Sequence, residues 1–484
     1  MSLFVKKPLD QLLAATAGDK GLKRTLGPVA LIALGIGAII GAGLFVRTAQ
    51  AAADAAGSAV ILSFVVAAVG CAFAGLCYAE FASMIPVAGS AYTYAYVTMG
   101  EFLAWIIGWA LVLEYALASA TVAISWSEYF NKLCAKIFGA PIPYEWCHSP
   151  FESADGVTGI VNVPALFILV LLTMVLVRGT KGSAALNSII VVVKVAIVLL
   201  FIALGWQFIN PVNHTPFMIP EGTPGHDAFN QWGIGGVFGG ASIVFFAFIG
   251  FDAVSTAAQE AKNPKRDMPI GILGSLFFCT ILYILFSYVL TGVAPWTDFA
   301  KAGKEASVAY AIETYMKGYS WLSTFITVAI LAGFSSVILV MLLGQSRVFY
   351  SMANDGLMPK VFAELHPKHR TPYKSNWILL CFVAIFGGFV PVSVAGDLTS
   401  FGTLFAFVLV CVAVWIMRVK NPEIPRAFKT PLVPLVPILG ILICSLLIIT
   451  LDLFTQLVAF AWMAIGLVIY FSYGNKNSHL QKKK

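Results

Sequence analysis

A chain of 484 residues with 59% hydrophobic and only 11% charged side chains is not a soluble globular protein, whose charged share averages about 25%. Its net charge of +7 comes from lysines and arginines gathered between apolar runs, so nothing calls for a nucleic-acid partner. Twelve apolar runs at 28–46, 58–84, 102–130, 161–178, 185–209, 234–259, 269–294, 320–350, 376–392, 397–418, 432–451 and 454–474 predict an all-α polytopic membrane protein. They are called spans 1 to 12 below.

Residues 1–27 are polar and basic, without the apolar stretch and cleavage site of a signal peptide. Lysine and arginine set the orientation. Of the 30 present, 23 fall on the side of the N-terminus, six on the opposite side, and Lys194 lies inside a span. Both termini are therefore expected in the cytoplasm, with the bundle in the inner (plasma) membrane. There is no metal-ligand cluster, phosphate loop or nucleophile–base pair, so no metal, no cofactor and no enzymatic activity are expected. Cys134 and Cys147 share one outward loop and could form a disulfide there.

Span 1 contains Gly35-Ile36-Gly37-Ala38-Ile39-Ile40-Gly41-Ala42-Gly43. Four glycines in nine residues weaken a helix, and in hydrocarbon every freed backbone group needs a partner. Either the glycines allow close helix packing, or the helix is broken around a polar ligand. A break would offer N–H groups to a carboxylate and carbonyls to an ammonium, the two groups of an amino acid's main chain. After span 2, the loop from Pro86 to Tyr94 carries no lysine or arginine and is predicted to fold back against the bundle.

Span 3 places Glu114 near mid-depth, where a carboxyl is costly unless protonated, paired or hydrated. It is either a hydrogen-bonded structural group or one close to the substrate or a gate. Span 5 places Lys194 among valines, too deep to reach an interface easily. It is read as an amine that exchanges its proton, the alternative being a permanent ion pair with Glu114 or Asp252. Span 6 holds a second interruption at Ile249-Gly250, with Asp252 placed to cap the half-helix that follows. Five spans separate the two breaks, the spacing of two inverted five-helix repeats with a site between them. Spans 11 and 12 have no break and suit a peripheral or oligomer-forming pair, and the tail ending Lys482-Lys483-Lys484 suits an anchor against anionic membrane lipid.

These stretches, with Pro86-Val87-Ala88-Gly89-Ser90-Ala91-Tyr92, Gly108-Trp109, Lys262-Asn263-Pro264, Gly344-Gln345-Ser346-Arg347 and Gly402-Thr403-Leu404-Phe405-Ala406-Phe407, resemble the amino acid–polyamine–organocation transporters, and within them the cationic amino acid transporter family. The resemblance runs from about residue 20 to 475. It implies the leucine-transporter fold, a 5+5 inverted repeat with two extra helices. The divisions expected are a tail at 1–27, repeats at 28–209 and 210–430, helices 11 and 12 at 431–474, and a tail at 475–484.

The resemblance further implies sodium-independent uptake of L-amino acids coupled to protons, with Lys194 standing where sodium-using relatives hold a cation. The substrate carboxylate is expected at Gly41, Ala42 and Gly43, and its amine at carbonyls of Ile39, Ile40, Phe246, Ala247 and Ile249. Gly250 and Asp252 belong to the second break. Phe334 falls where relatives often carry a smaller or more flexible residue over the side-chain pocket, and Arg47, a cation expected near the outer mouth, stands where an apolar residue is usual. Both favour a neutral substrate of small to medium size, whereas Glu114 would favour a cationic one if it faced the pocket. A cationic amino acid or amine transporter or exchanger is the alternative, and a non-transporting sensor on the same fold the more distant one.

Overall fold

The computed structural model describes residues 4–8, 26–85, 89–154, 156–178, 183–301, 307–367 and 371–482. Most of the N-terminal tail, Pro86-Val87-Ala88, Lys181, Lys304, Lys368, Arg370 and the last two lysines lie outside the described residues.

Among the described residues, eight helices are long and apolar enough to cross a membrane and four shorter apolar helices accompany them. The chain is a multi-pass, all-α membrane protein. Span 1 starts at Pro28, which needs no N–H partner at a first helical position. Its helix stops at Ile39 and the chain resumes helical form at Gly43–Arg47. Span 2 is Val60–Met84, and the loop after it forms a short helix, Ser90–Thr98, with every residue buried. That is the predicted folding-back of this segment.

Span 3 is the longest helix, Glu101–Phe138. It ends at Gly139 in the left-handed conformation at φ 78°, a turn that favours glycine. Spans 4 and 5 are Val163–Arg178 and Ser183–Gly205. Span 6 is helical over Gly233–Val244, tightens over Phe245–Phe248, breaks, and resumes as a tight helix over Asp252–Glu260. Spans 7 to 12 are Pro264–Val293, Ser320–Asn354, Tyr373–Phe389, Val392–Lys420, Leu435–Thr450 and Leu453–Ile469. The small two-stranded hairpin Ser153–Ala154 with Val157–Thr158 sits in the loop between spans 3 and 4.

Burial sorts these helices into layers. In the most apolar stretches of spans 3 and 6, 83% of residues are buried, against 22% in the helix that begins at Leu453. Spans 3 and 6 are thus the heart of the bundle and span 12 lies at its edge. Cys134 and Cys147 are both free and buried, without a disulfide between them.

A buried charge cluster ties span 2 to the segment after span 10. Glu80 accepts from Arg418 Nε and Nη2, both at 2.9 Å, and from the Thr430 N–H at 2.8 Å. Arg426 Nε lies 3.0 Å from the same carboxylate. The loop after span 10 is thereby pinned against the bundle.

Candidate functional site

The two helix breaks lie against each other at the centre of the bundle. Ile40 closes the first half of span 1 in an extended conformation, and Ile249 does the same in span 6. A Cβ on Gly43 would lie 2.2 Å from the Ala247 Cα, and one on Gly250 would lie 2.9 Å from the Ala38 carbonyl carbon. Gly250 also has φ 116°, which strains any other residue. Later positions in span 1 meet earlier ones in span 6, so the broken segments cross antiparallel. The glycines are needed for that contact between backbones and for the break itself.

Two side chains from other spans hold the frayed ends. Lys194 of span 5 is 2% exposed. Its Nζ donates to the carbonyls of Gly37 at 2.9 Å and Ile40 at 3.0 Å. These are carbonyls at the C-terminal end of a helix, where the dipole favours a cation. Its stem packs on Gly333 of span 8, where a Cβ would come within 2.7 Å of the Lys194 Cε. Among the described residues it has no ion pair with Glu114 or Asp252. Tyr283 of span 7 reaches both breaks, its hydroxyl 3.0 Å from the Ile39 oxygen and 2.8 Å from the Ala247 oxygen. Sequence reasoning missed Tyr283, which is one of several polar tips in span 7, with Ser275, Thr280, Ser287 and Tyr288, and nothing local sets it apart.

A cavity of about 10 Å³ opens between the breaks, room for about one water molecule. Gly41, Ala42 and Gly43 line one side, and Phe246 and Ile249 the other. The walls are Ala118 and Val122 of span 3 and Val337 and Met341 of span 8. Every side chain at this surface is apolar. The first turn of the second half-helix borders it. Its Leu44 and Phe45 N–H groups donate to the Gly41 carbonyl at 3.2 and 3.4 Å, and those of Ala42 and Gly43 precede them at the N-terminal end, where a helix lacks a preceding turn.

The other candidates sit elsewhere. Ile39 lines the cavity; Ile40 and Ala247 do not, and the carbonyls of all three already accept from Lys194 or Tyr283. Phe334 is fully buried but outside the lining, with its ring packed on Phe45 at 6.2 Å and Tyr129 at 5.8 Å. Glu114 is fully buried and faces span 10, where a Cβ on Gly402 would lie 3.5 Å from its own Cβ. Asp252 accepts from the Gly250 N–H at 3.2 Å and from the Tyr115 hydroxyl at 2.9 Å. It therefore caps the second break and ties it to span 3.

Arg47 is not an open charge at the outer mouth. It is fully buried, its guanidinium bonds Asp397 of span 10 and Gln50, and it faces the Phe246 ring at 6.0 Å. With Asp397 beside it, Arg47 presents no uncompensated positive field to a substrate. Asp397 lies 350 positions away, so no local pattern announces the pair.

A membrane-embedded helical bundle with two apposed helix breaks around a small central cavity defines the class of secondary transporters. The chain belongs to the amino acid permease family, which matches residues 26–472, within the amino acid–polyamine–organocation superfamily. It is 45% identical to the branched-chain amino acid permease BcaP of Bacillus subtilis over 99% of each chain. It is 42% identical to the methylthioribose transporter of the same organism, over 99% of this chain and all of the relative. It is 32% identical to the vacuolar cationic amino acid transporter 4 of Arabidopsis thaliana, over 87% of this chain and 68% of that one. Relatives named as permeases and transporters place it among carriers rather than enzymes.

Proposed function

We propose that this permease imports neutral, aliphatic L-amino acids, branched-chain ones foremost, in symport with protons. The observation that carries the reading is the cavity between the breaks, whose side chains are all apolar. Such a surface suits an aliphatic side chain, while backbone N–H and carbonyl groups of the breaks serve the substrate's carboxylate and amine. Glu114 is not among the residues lining the cavity, which weakens the argument for an arginine or lysine substrate. A thioether sugar would leave several hydroxyls without partners against this lining, at about 1–3 kcal/mol for each buried polar group left unpaired. The relative named for branched-chain substrates, similar over its whole length, supports the same reading.

Lys194 is the coupling group in this proposal. Protonated, it holds the end of the first half-helix through two carbonyls; deprotonated, it loses the charge that the helix end favours. The two halves around the breaks are read as inverted repeats with both termini in the cytoplasm, in keeping with the bias of basic residues. The test is uptake into proteoliposomes of leucine, isoleucine, valine, alanine, arginine and methylthioribose, with and without an inward proton gradient. Leucine, isoleucine and valine should lead, and the gradient should drive their accumulation. A lead for arginine or methylthioribose would overturn the substrate assignment, and indifference to the gradient would overturn the coupling.

A further inference from the structure

On the face that carries the termini, a groove of about 620 Å³ runs between the start of span 7 and the segment after span 10. Its floor is Pro269, Leu273 and Gly274 with Phe428 opposite, and Lys265 and Arg266 stand at its mouth. A second cavity, about 480 Å³, is lined by Arg418, Arg426 and Lys429. Residues 426–429 form the strip between the two, with 427 and 428 turned to one and 426 and 429 to the other.

We propose that this groove binds one anionic phospholipid, with its phosphate held by Lys265 and Arg266 at the mouth, Lys429 adding positive charge from the far side of the strip, and an acyl chain along span 7. Charge and shape both point to that occupant. Lys265, Arg266 and Lys429 are exposed, and among the described residues none has a carboxylate partner. The nearby Asp267 is turned inward, 4% exposed, and accepts from the Asn263 N–H. Glu80 is already shared by Arg418 and Arg426, so it leaves one positive charge uncompensated beside the strip. Among the described residues, Glu423 is the one acid lining either cavity.

The apolar part continues beyond the groove. Ile270, Phe277 and Ile281 are exposed on span 7, at spacings of seven and four that place them on one helix face. That stripe leads from the basic mouth toward mid-membrane, as an acyl chain would. Basic pockets between membrane helices at an anionic leaflet recognise lipid headgroups in this way. A zwitterionic lipid fills the same apolar stripe but brings its own cation to the mouth, where two unpaired cations already stand.

The test uses the full chain purified in detergent and titrated with phosphatidylglycerol, phosphatidylcholine or inorganic phosphate. Binding is counted by native mass spectrometry and read in parallel as the shift in unfolding temperature. One phosphatidylglycerol should bind about tenfold more tightly than phosphatidylcholine, on the scale that a few basic residues supply. The triple variant Lys265→Gln, Arg266→Gln, Lys429→Gln should lose that preference. Leu273→Trp, which fills the groove and leaves the cations in place, should weaken both lipids. Equal binding of the two lipids, an unchanged preference in the triple variant, or the same thermal shift from inorganic phosphate alone would each overturn the proposal.

Discussion

Replacing Lys194 by methionine keeps an unbranched stem against Gly333 while removing both bonds from Nζ to the Gly37 and Ile40 carbonyls. A hydrogen bond from a charged group contributes about 1.5–3 kcal/mol, so the two together are worth about 3–6 kcal/mol to the arrangement that contains them. A shift of about 5.5 kcal/mol carries a two-state equilibrium from 99:1 to 1:99. The variant is therefore expected to abandon the arrangement seen here. In proteoliposomes, leucine accumulation driven by a proton gradient should fall to background. Leucine exchange without a gradient should persist at a reduced rate, showing that the protein is folded. Lys194→Arg should fail in the same assay, because a guanidinium does not release its proton in the accessible range. Gradient-driven accumulation at the wild-type level by Lys194→Met would refute the reasoning.

Gly43→Ala should abolish leucine binding, because its Cβ would collide with the Ala247 backbone at 2.2 Å. Gly41→Ala meets only the end of the Val337 side chain at 3.2 Å and should weaken binding about 10- to 200-fold, as equilibrium binding to purified protein would show. Phe334→Ser should lower the unfolding temperature, since removing a buried ring costs about 3–5 kcal/mol, and should leave the uptake order of alanine, leucine and arginine unchanged. Glu80→Gln removes the anion shared by two arginines, at a cost of about 3–5 kcal/mol, and should raise hydrogen exchange across residues 418–430.

His148 supplies a pH dependence outside the spans. Burial opposes its charge, but Glu128 at 3.1 Å outweighs that and raises its pKa from 6.5 to about 8. The pair's contribution is complete below about pH 6.5 and lost as pH rises through about 8. Hydrogen exchange around residues 144–152 should rise over that window in the wild type and stay flat in His148→Gln.

The twelve spans and both breaks could be read from the sequence, because glycine runs and long apolar segments are local signals tied to backbone cost. Lys194 was legible for the same reason: an amine deep in an apolar helix is expensive, and the expense shows in the chain itself. What its ammonium touches was not legible, since Gly37 and Ile40 become its partners only when span 5 packs on span 1. Arg47 illustrates the limit. Alone it reads as an open cation, and only the folded bundle brings Asp397 to it. Phe334 and Glu114 were named from their places in a pattern, and a pattern gives position along a helix but not which of several packed faces a side chain joins.

The Tyr283 hydroxyl has one proton and stands within reach of two carbonyls, Ile39 and Ala247. A hydroxyl donates a single bond, so at any instant one of these acceptors goes without. The shortfall can fall on either broken helix, and a second donor can take whichever carbonyl the tyrosine has left. An incoming ammonium is such a donor. It can join without first displacing the phenol, and two donors then face two acceptors. On the proposed reading, the empty centre of this permease has one hydroxyl donor for two carbonyls, and a substrate amine would supply the second.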